Sequence, residues 1–261
     1  MNRIDKAIEA KLRDIEKQES VRILYACESG SRAWGFASTD SDYDVRFIYC
    51  HPTNWYLSIR ERRDVIERPL DADGLDLSGW DIRKALGLFR KSNPPLLEWL
   101  NSPIRYLEQG TFAARLRKFM SSYYSPSNCL HHYMHMARGN FDKYLCSETV
   151  TLKKYFYVLR PVMACNWIER NLGVVPMEFQ KLLDAIVAGG PLRQAIGALL
   201  ENKKQGVELG EGPRIPVVHD FLSAELARLA EQHEAAEPIT TDPEALDELF
   251  RSTLEELWQT E

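Results

Sequence analysis

The sequence predicts an α+β protein, with an α/β half over residues 1–108 and an almost wholly helical half over 109–261. Three observations lead there. Val21 to Cys27 and Asp44 to Cys50 are apolar, β-branched runs of strand length. Helix-period segments alternate with such runs up to residue 108. After Gln109-Gly110 nearly every segment reads at helical period. The 261 residues suffice for one large domain or two smaller ones, each with its own core.

Taken in order, residues 3–18 place Ile4, Ile8, Leu12 and Ile15 on one stripe among charges, the pattern of an amphipathic helix rather than a signal peptide or membrane span. Strand 21–27 follows and ends at the small residues Ser29-Gly30-Ser31. A polar turn, Ser38 to Ser41, precedes strand 44–50. Further strands are expected near 63–68 and 74–77, then a helix over 81–92. Asn93-Pro94-Pro95 opens a short helix through Leu100, because proline is accommodated in a first turn. Helices are then expected over 111–120, 127–146, 148–170, 176–188, 190–204, 216–235 and 242–259. The stretch 206–216, with three Gly and two Pro, reads as an irregular linker.

The chemistry concentrates at Gly30-Ser31 and Asp42-Tyr43-Asp44. Carboxylates two residues apart on extended backbone point to one face, their Cβ atoms roughly 6–7 Å apart. Like charges that close need a cation between them or a raised pKa. A hard ion such as Mg²⁺ suits oxygen ligands and is shared between one or two carboxylates and substrate phosphates. Gly30 lets the backbone approach a ligand, and Ser31 adds a hydroxyl and an N–H for a phosphate oxygen. Both motifs sit at the same end of adjacent strands, which points to a metal-dependent enzyme acting on a nucleotide.

The run Glu28-Ser29-Gly30-Ser31-Arg32-Ala33-Trp34-Gly35-Phe36, with Ser38 and Asp40-Ser41-Asp42-Tyr43-Asp44-Val45-Arg46, resembles the polymerase-beta-like nucleotidyltransferase superfamily. Within it the chain is similar to the predicted nucleotidyltransferases of the YcgL type, related to those found beside RNA ligases. The resemblance continues through Trp80-Asp81-Ile82-Arg83-Lys84 and Asn93 to Glu98, covering at least the first 105 residues. Many superfamily members carry an apolar or aromatic residue before Gly-Ser, where this chain has Ser29. The resemblance implies a catalytic α/β domain with a mixed sheet over 1–108 and a helical domain over 109–261 covering the nucleotide and acceptor site. It also implies a third carboxylate on another strand.

For that third position Leu75-Asp76-Leu77 shows one acid between apolar neighbours, as on a strand whose polar side chain faces a metal. Asp81 is the alternative, although a first-turn acid favoured by the helix dipole is its plainer role. Asp71 and Asp73 read as solvated turn residues. The expected site is therefore Asp42, Asp44 and Asp76 as catalytic and metal-binding groups, with Gly30 and Ser31 on the nucleotide and Arg46 either on its phosphates or pairing within the core. In the helical half, Lys153 and Tyr157, and Phe156 and Arg160, are four apart, so a helix sets each pair on one face. The resemblance implies that Lys153, Lys154 and Arg160 meet the triphosphate; the plainer reading is an exposed basic stripe. The expected cofactors are Mg²⁺ or Mn²⁺ and an NTP, ATP foremost.

The net charge of −5 and pI of about 5.8 argue against a long duplex-binding surface, though Arg60, Arg62, Arg63 and Arg68 could form a local patch. Arg62 and Arg63 equally suit an edge-strand device. Five cysteines without a Cys-x-x-Cys pair read as reduced thiols in a cytoplasmic protein, with Cys27 and Cys50 in the core. His131 and His135 stand one helical turn apart, but zinc would need further ligands at no evident spacing, so packing is the better account. The resulting function is NMP transfer from an NTP to an acceptor (an RNA end, a protein hydroxyl or a small molecule) with release of pyrophosphate. The rivals are a non-catalytic nucleotide-binding module acting through a protein partner, and a structural metal site.

Overall fold

The N-terminal stripe becomes helix α1 (Arg3–Glu19), which buries Ile8, Leu12 and Ile15. At about 1.5–3 kcal/mol for each buried aliphatic side chain, that face docks the helix firmly on a sheet. The strands are β1 (Arg22–Ser29), β2 (Tyr43–Cys50), β3 (Val65–Arg68), β4 (Leu75–Asp81) and β5 (Arg105–Glu108). The structure, a computed structural model, describes residues 3–206, 209–232 and 240–258. Their spatial order is β3-β4-β2-β1-β5, with β2 and β4 parallel and the other neighbours antiparallel. The sheet is mixed.

Alternation along the strands assigns the faces. Val45, Phe47 and Tyr49 of β2 and Leu75 and Leu77 of β4 join the α1 side chains in one core. Gly79 belongs there too, since a Cβ on it would lie 2.1 Å from the Phe47 ring. The alternate positions point to the other face, where Trp80 stacks on Trp99 with ring centroids 3.9 Å apart. Trp99 lies in α5 (Pro94–Leu100), which follows α4 (Ile82–Arg90). Short helices α2 (Gly30–Ala33) and α3 (Thr53–Tyr56) sit in the connections around β2, and α6 (Phe112–Tyr123) follows β5.

Two units emerge, one of Met1–Ala33, Asp42–Tyr124 and Ile239–Glu261, the other of Trp34–Ser41 and Ser125–Pro238. The expected boundary at 108/109 is not where they divide. α6 buries Phe112, Ala113 and Leu116, and its Arg115 and the preceding Thr111 bond to Ser252 and Glu256 of α12 (Glu244–Leu257). Both helices therefore belong with the sheet.

The second unit holds α7 (Pro126–Tyr144), α8 (Tyr155–Glu169), α9 (Phe179–Ile186), α10 (Pro191–Lys204) and α11 (Pro216–Gln232). α8 is buried almost all round, as befits a helix without a polar face. The helix expected from 148 begins only at Tyr155. The β-branched run Thr149-Val150-Thr151 instead forms β6, paired with β7 (Glu211–Pro213), and Leu152–Lys154 make a 3₁₀ turn. β7 also interrupts the expected linker 206–216, of which 207–208 lie outside the described residues. Residues 233–235 and 259, expected at helix ends, lie outside them as well. The segment Trp34–Ser41 joins this unit through Phe36, whose ring lies 4.7 Å from Phe156 and 5.4 Å from Phe179. The Phe179 N–H donates to the Trp34 carbonyl at 2.9 Å. Among the described residues no helix is long and apolar enough to cross a membrane.

Candidate active site

Because β2 and β4 are parallel neighbours, Asp44 and Asp76 fall at the same register. Arg46 is two residues on from Asp44 and shares its face. One guanidinium nitrogen, Nη2, donates to both carboxylates, at 2.9 Å to Asp44 Oδ1 and 2.7 Å to Asp76 Oδ2. Its Nη1 donates to the Asp76 carbonyl at 2.9 Å, which fixes the side chain across the strand pair. The carboxylates are about one-third exposed, at 32% and 35%, so a ligand can reach them. Burial raises the Asp44 pKa above the usual carboxylate range; Asp76 and Asp42 push the same way and Arg46 opposes them.

Gly30 closes one side. Its φ of +61° is costly for a residue with a side chain, and a Cβ there would meet Asp44 Oδ2 at 2.1 Å. Ser31 follows in the helical turn α2, half-buried, so the expected turn is one turn of helix. Asp42 is exposed on the other flank, its carbonyl accepting from Arg32 Nε at 3.1 Å while the Arg32 guanidinium lies 3.7 Å over the Tyr43 ring. The Tyr43 N–H donates to the Gly74 carbonyl at 2.8 Å, which ties this flank to the turn before β4.

Asp81 stands elsewhere. It pairs with Tyr49 in the register, five residues along from the Asp44–Asp76 pair. It caps α4 by accepting from the Arg83 N–H at 2.8 Å and also accepts from the Tyr56 hydroxyl at 2.7 Å. Asp71 closes an Asx-type turn on the Asp73 and Leu75 N–H groups and pairs with Lys11.

Among the described residues, no three His, Cys, Asp or Glu side chains are gathered into a metal-binding group. The donor chemistry nonetheless suits a hard cation, because oxygen ligands from adjacent strands already converge on one cationic nitrogen.

Sequence reasoning missed Glu28. It lies on β1 and is fully buried. Its carboxyl accepts from the Asp44 N–H at 2.8 Å and from the Tyr106 hydroxyl. Burial pushes it up to about 7, against the pull of those two donors. The available signal was an acid ending an otherwise apolar strand.

In the second unit, Lys154 lies over two rings, 4.6 Å from Tyr144 and 4.2 Å from Tyr157. Lys153 shares its 3₁₀ turn, so the expected α-helix does not include it. Arg160 is buried, donates to the Pro176 and Met177 carbonyls at 3.2 and 3.4 Å, and covers the Trp34 ring at 5.2 Å. His131 and His135 bond to each other through their Nε2 atoms at 3.1 Å.

A protein-family model described as "RlaP: RNA repair pathway DNA polymerase beta family" matches residues 4–252. The sequence is 48% identical over 250 residues to the uncharacterized protein YcgL of Bacillus subtilis (strain 168), covering 95% of this chain and 96% of that one. Among solved structures, a nucleotidyltransferase-like protein from Exiguobacterium sibiricum 255-15 aligns with 96% of this chain and 90% of its own, at 13% identity and a TM-score of 0.32.

Proposed function

This chain belongs to the RNA repair pathway DNA polymerase beta family, and on that premise we propose that it is a metal-dependent nucleotidyltransferase. It would move an NMP from an NTP, ATP foremost, to an acceptor and release pyrophosphate. One observation carries the reading: Asp44 and Asp76 share a register and a common cationic nitrogen, directly beside the Gly30 turn.

Asp42, Asp44 and Asp76 would hold one or two Mg²⁺ or Mn²⁺ ions. Such ions neutralise phosphate charge and activate the attacking oxygen. The chain's own groups do the rest. Gly30 and Ser31 bind β- and γ-phosphate oxygens through backbone N–H and hydroxyl. Arg46 holds the two strand carboxylates in register and supplies positive charge to the phosphates. Asp76 accepts the proton of the acceptor hydroxyl. The acceptor oxygen bonds to the α-phosphorus as the bond to the bridging oxygen breaks. Arg160, committed to carbonyls and Trp34, is assigned to holding the 34–41 segment.

The family's description favours an RNA end as acceptor over a protein hydroxyl or small molecule. A cytoplasmic setting suits five free cysteines, four of them buried.

The Arg46 bridge also favours a second reading, a nucleotide-binding module acting through a protein partner, because a guanidinium satisfies the carboxylates without a metal. Transfer of α-³²P label from each NTP, with Mg²⁺ or Mn²⁺, into RNA, protein and small-molecule fractions separates the two. Label entering one fraction with wild type but not with Asp42→Asn/Asp44→Asn supports transfer and names the acceptor class. Nucleotide-dependent stabilisation without any label overturns it in favour of the module.

A further inference from the structure

At the far end of the same strand pair lies a second cleft, of about 450 Å³. β2 ends at Cys50, and the following segment carries Trp55, Tyr56, Arg60 and Arg62; β4 ends at Asp81, followed by Arg83 and Lys84. All six side chains named after the strand ends line the cleft. From Asp44 to Cys50 is six residues along the strand, roughly 20 Å.

Its charge is out of balance. Lys84 is paired with Asp64 at 2.9 Å, and Asp81 is occupied by the Tyr56 hydroxyl and the Arg83 N–H. Among the described residues Arg60, Arg62 and Arg83 make no ion pair, although the whole chain carries a net −5. By contrast Arg63 and Arg68 nearby are matched by Glu67 and Glu19. The cleft is therefore lined by four cations, Arg60, Arg62, Arg83 and Lys84, against three carboxylates, Glu61, Asp64 and Asp81, and its three guanidinium groups are held in no ion pair.

The aromatic lining is set in place. Trp55 stacks on His51 with ring centroids 4.0 Å apart and planes 5° from parallel, and burial keeps that imidazole neutral by lowering its pKa to about 4. The Arg62 guanidinium lies 5.2 Å from the Trp55 ring, and the Arg83 guanidinium 4.9 Å from the Tyr56 ring. Tyr56 is further braced edge-on by Phe250 at 4.9 Å. Ile59 beside them is fully exposed. Arginines outside any ion pair, interleaved with preset aromatic rings, suit a strand offering phosphates and unstacked bases. A protein surface would leave the three cations to find three carboxylates, whereas one flexible phosphodiester strand supplies the charges in series.

We propose that this cleft binds single-stranded nucleic acid, with phosphodiester groups on Arg60, Arg62 and Arg83 and a base against the Trp55–Tyr56 aromatic wall. The site is separate from the carboxylate site, and its occupation does not depend on nucleotidyl transfer.

The test is fluorescence anisotropy of a labelled oligouridylate about a dozen nucleotides long, a length within the usual single-strand footprint. Neither NTP nor divalent ion is present, so failure of the transfer reading leaves the result intact. Arg60→Ala/Arg62→Ala is expected to weaken binding at least tenfold. It should also flatten the dependence of log K on log[salt] by about 1.4, two contacts at about 0.7 each. Trp55→Ala should weaken binding at least about fivefold, and a matched duplex should bind less tightly than the single strand. An unchanged affinity and salt slope in the double variant overturns the proposal. So does displacement of the oligonucleotide by UMP at equal concentration, which would mark a mononucleotide pocket. Both variants alter surface side chains, and unchanged far-UV circular dichroism establishes that they fold.

Discussion

Asp44 and Asp76 lie directly opposite each other on parallel strands, and one nitrogen of Arg46 touches both carboxylates, at 2.9 and 2.7 Å. On the proposed mechanism, in which Asp76 holds metal, Asp76→Asn is expected to lower transfer at least about 100-fold while leaving the fold intact, since the amide keeps the side chain's size. Mg²⁺ should raise the thermal midpoint of wild type and not of Asp44→Asn/Asp76→Asn. Steady-state rates and a melting series with and without the ion check both.

Asp81 should behave oppositely. Asp81→Ala removes the α4 cap and the acceptor of the Tyr56 hydroxyl. The cap contributes about 1 kcal/mol and the stranded hydroxyl about 1–3 more. Each kcal/mol lowers the midpoint by about 2–4 °C in a protein of this size class. Transfer per folded molecule is expected to stay within about twofold of wild type. A loss matching that of Asp76→Asn would make Asp81 the third carboxylate.

Gly30→Ala tests the approach of turn to carboxylate. The added methyl meets both a φ of +61° and Asp44 Oδ2 at 2.1 Å. Strain of about 1–3 kcal/mol is expected in urea unfolding. Displacement of Asp44 by even about 1 Å should cost about 100-fold in transfer.

Glu28 makes stability pH-dependent. Its carboxyl is raised from 4.5 to about 7 in the folded protein, mainly by burial. The folded state thus holds a proton that the unfolded state has lost between those two values. Stability from this group is full below pH 4.5 and falls as pH rises to about 7, by about 3 kcal/mol in total. Urea unfolding of wild type and Glu28→Gln, without divalent ions, should show the wild type losing ground over that window. Parallel profiles would remove Glu28 as the titrating group.

Phe36 anchors the segment that links Gly30-Ser31 to Asp42 into the helical unit, with Phe156 at 4.7 Å and Phe179 at 5.4 Å. Phe36→Ala should cost about 3–5 kcal/mol of that unit's stability. Because both motif halves are covalently attached to the segment, kcat for transfer should fall as well. A stability loss with unchanged kcat would show that the segment's anchorage is irrelevant to the site.

Period and composition made the main elements legible. The stripe Ile8-Leu12-Ile15 became α1, and the apolar runs became β1 and β2. Short or mixed-signal pieces were not readable. β5 (Arg105–Glu108) has four residues and no clean alternation. The seven residues before Tyr155 read as helix by continuation, but β-branched Thr149, Val150 and Thr151 gain more by pairing with β7. Ser78-Gly79-Trp80 extends β4 because only Gly79 fits over Phe47, a constraint that lies in another strand.

The same division holds for the site. Spacing alone pointed to Asp42 and Asp44 beside a Gly-Ser turn, because alternation is a local property of extended backbone; Asp44 lies on β2 against Gly30, whereas Asp42 precedes the strand and is exposed. Which distant acid lies opposite Asp44 is a matter of register between strands more than thirty residues apart, set by core packing of Val45, Phe47, Leu75 and Leu77. The sheet decided that Asp76 meets Asp44 while Asp81 caps a helix. It also placed the buried Glu28 behind Asp44 and gathered Arg60, Arg62 and Arg83 at the opposite strand ends. Local pattern determines elements and the faces of their side chains; long-range pairing decides which charges become neighbours.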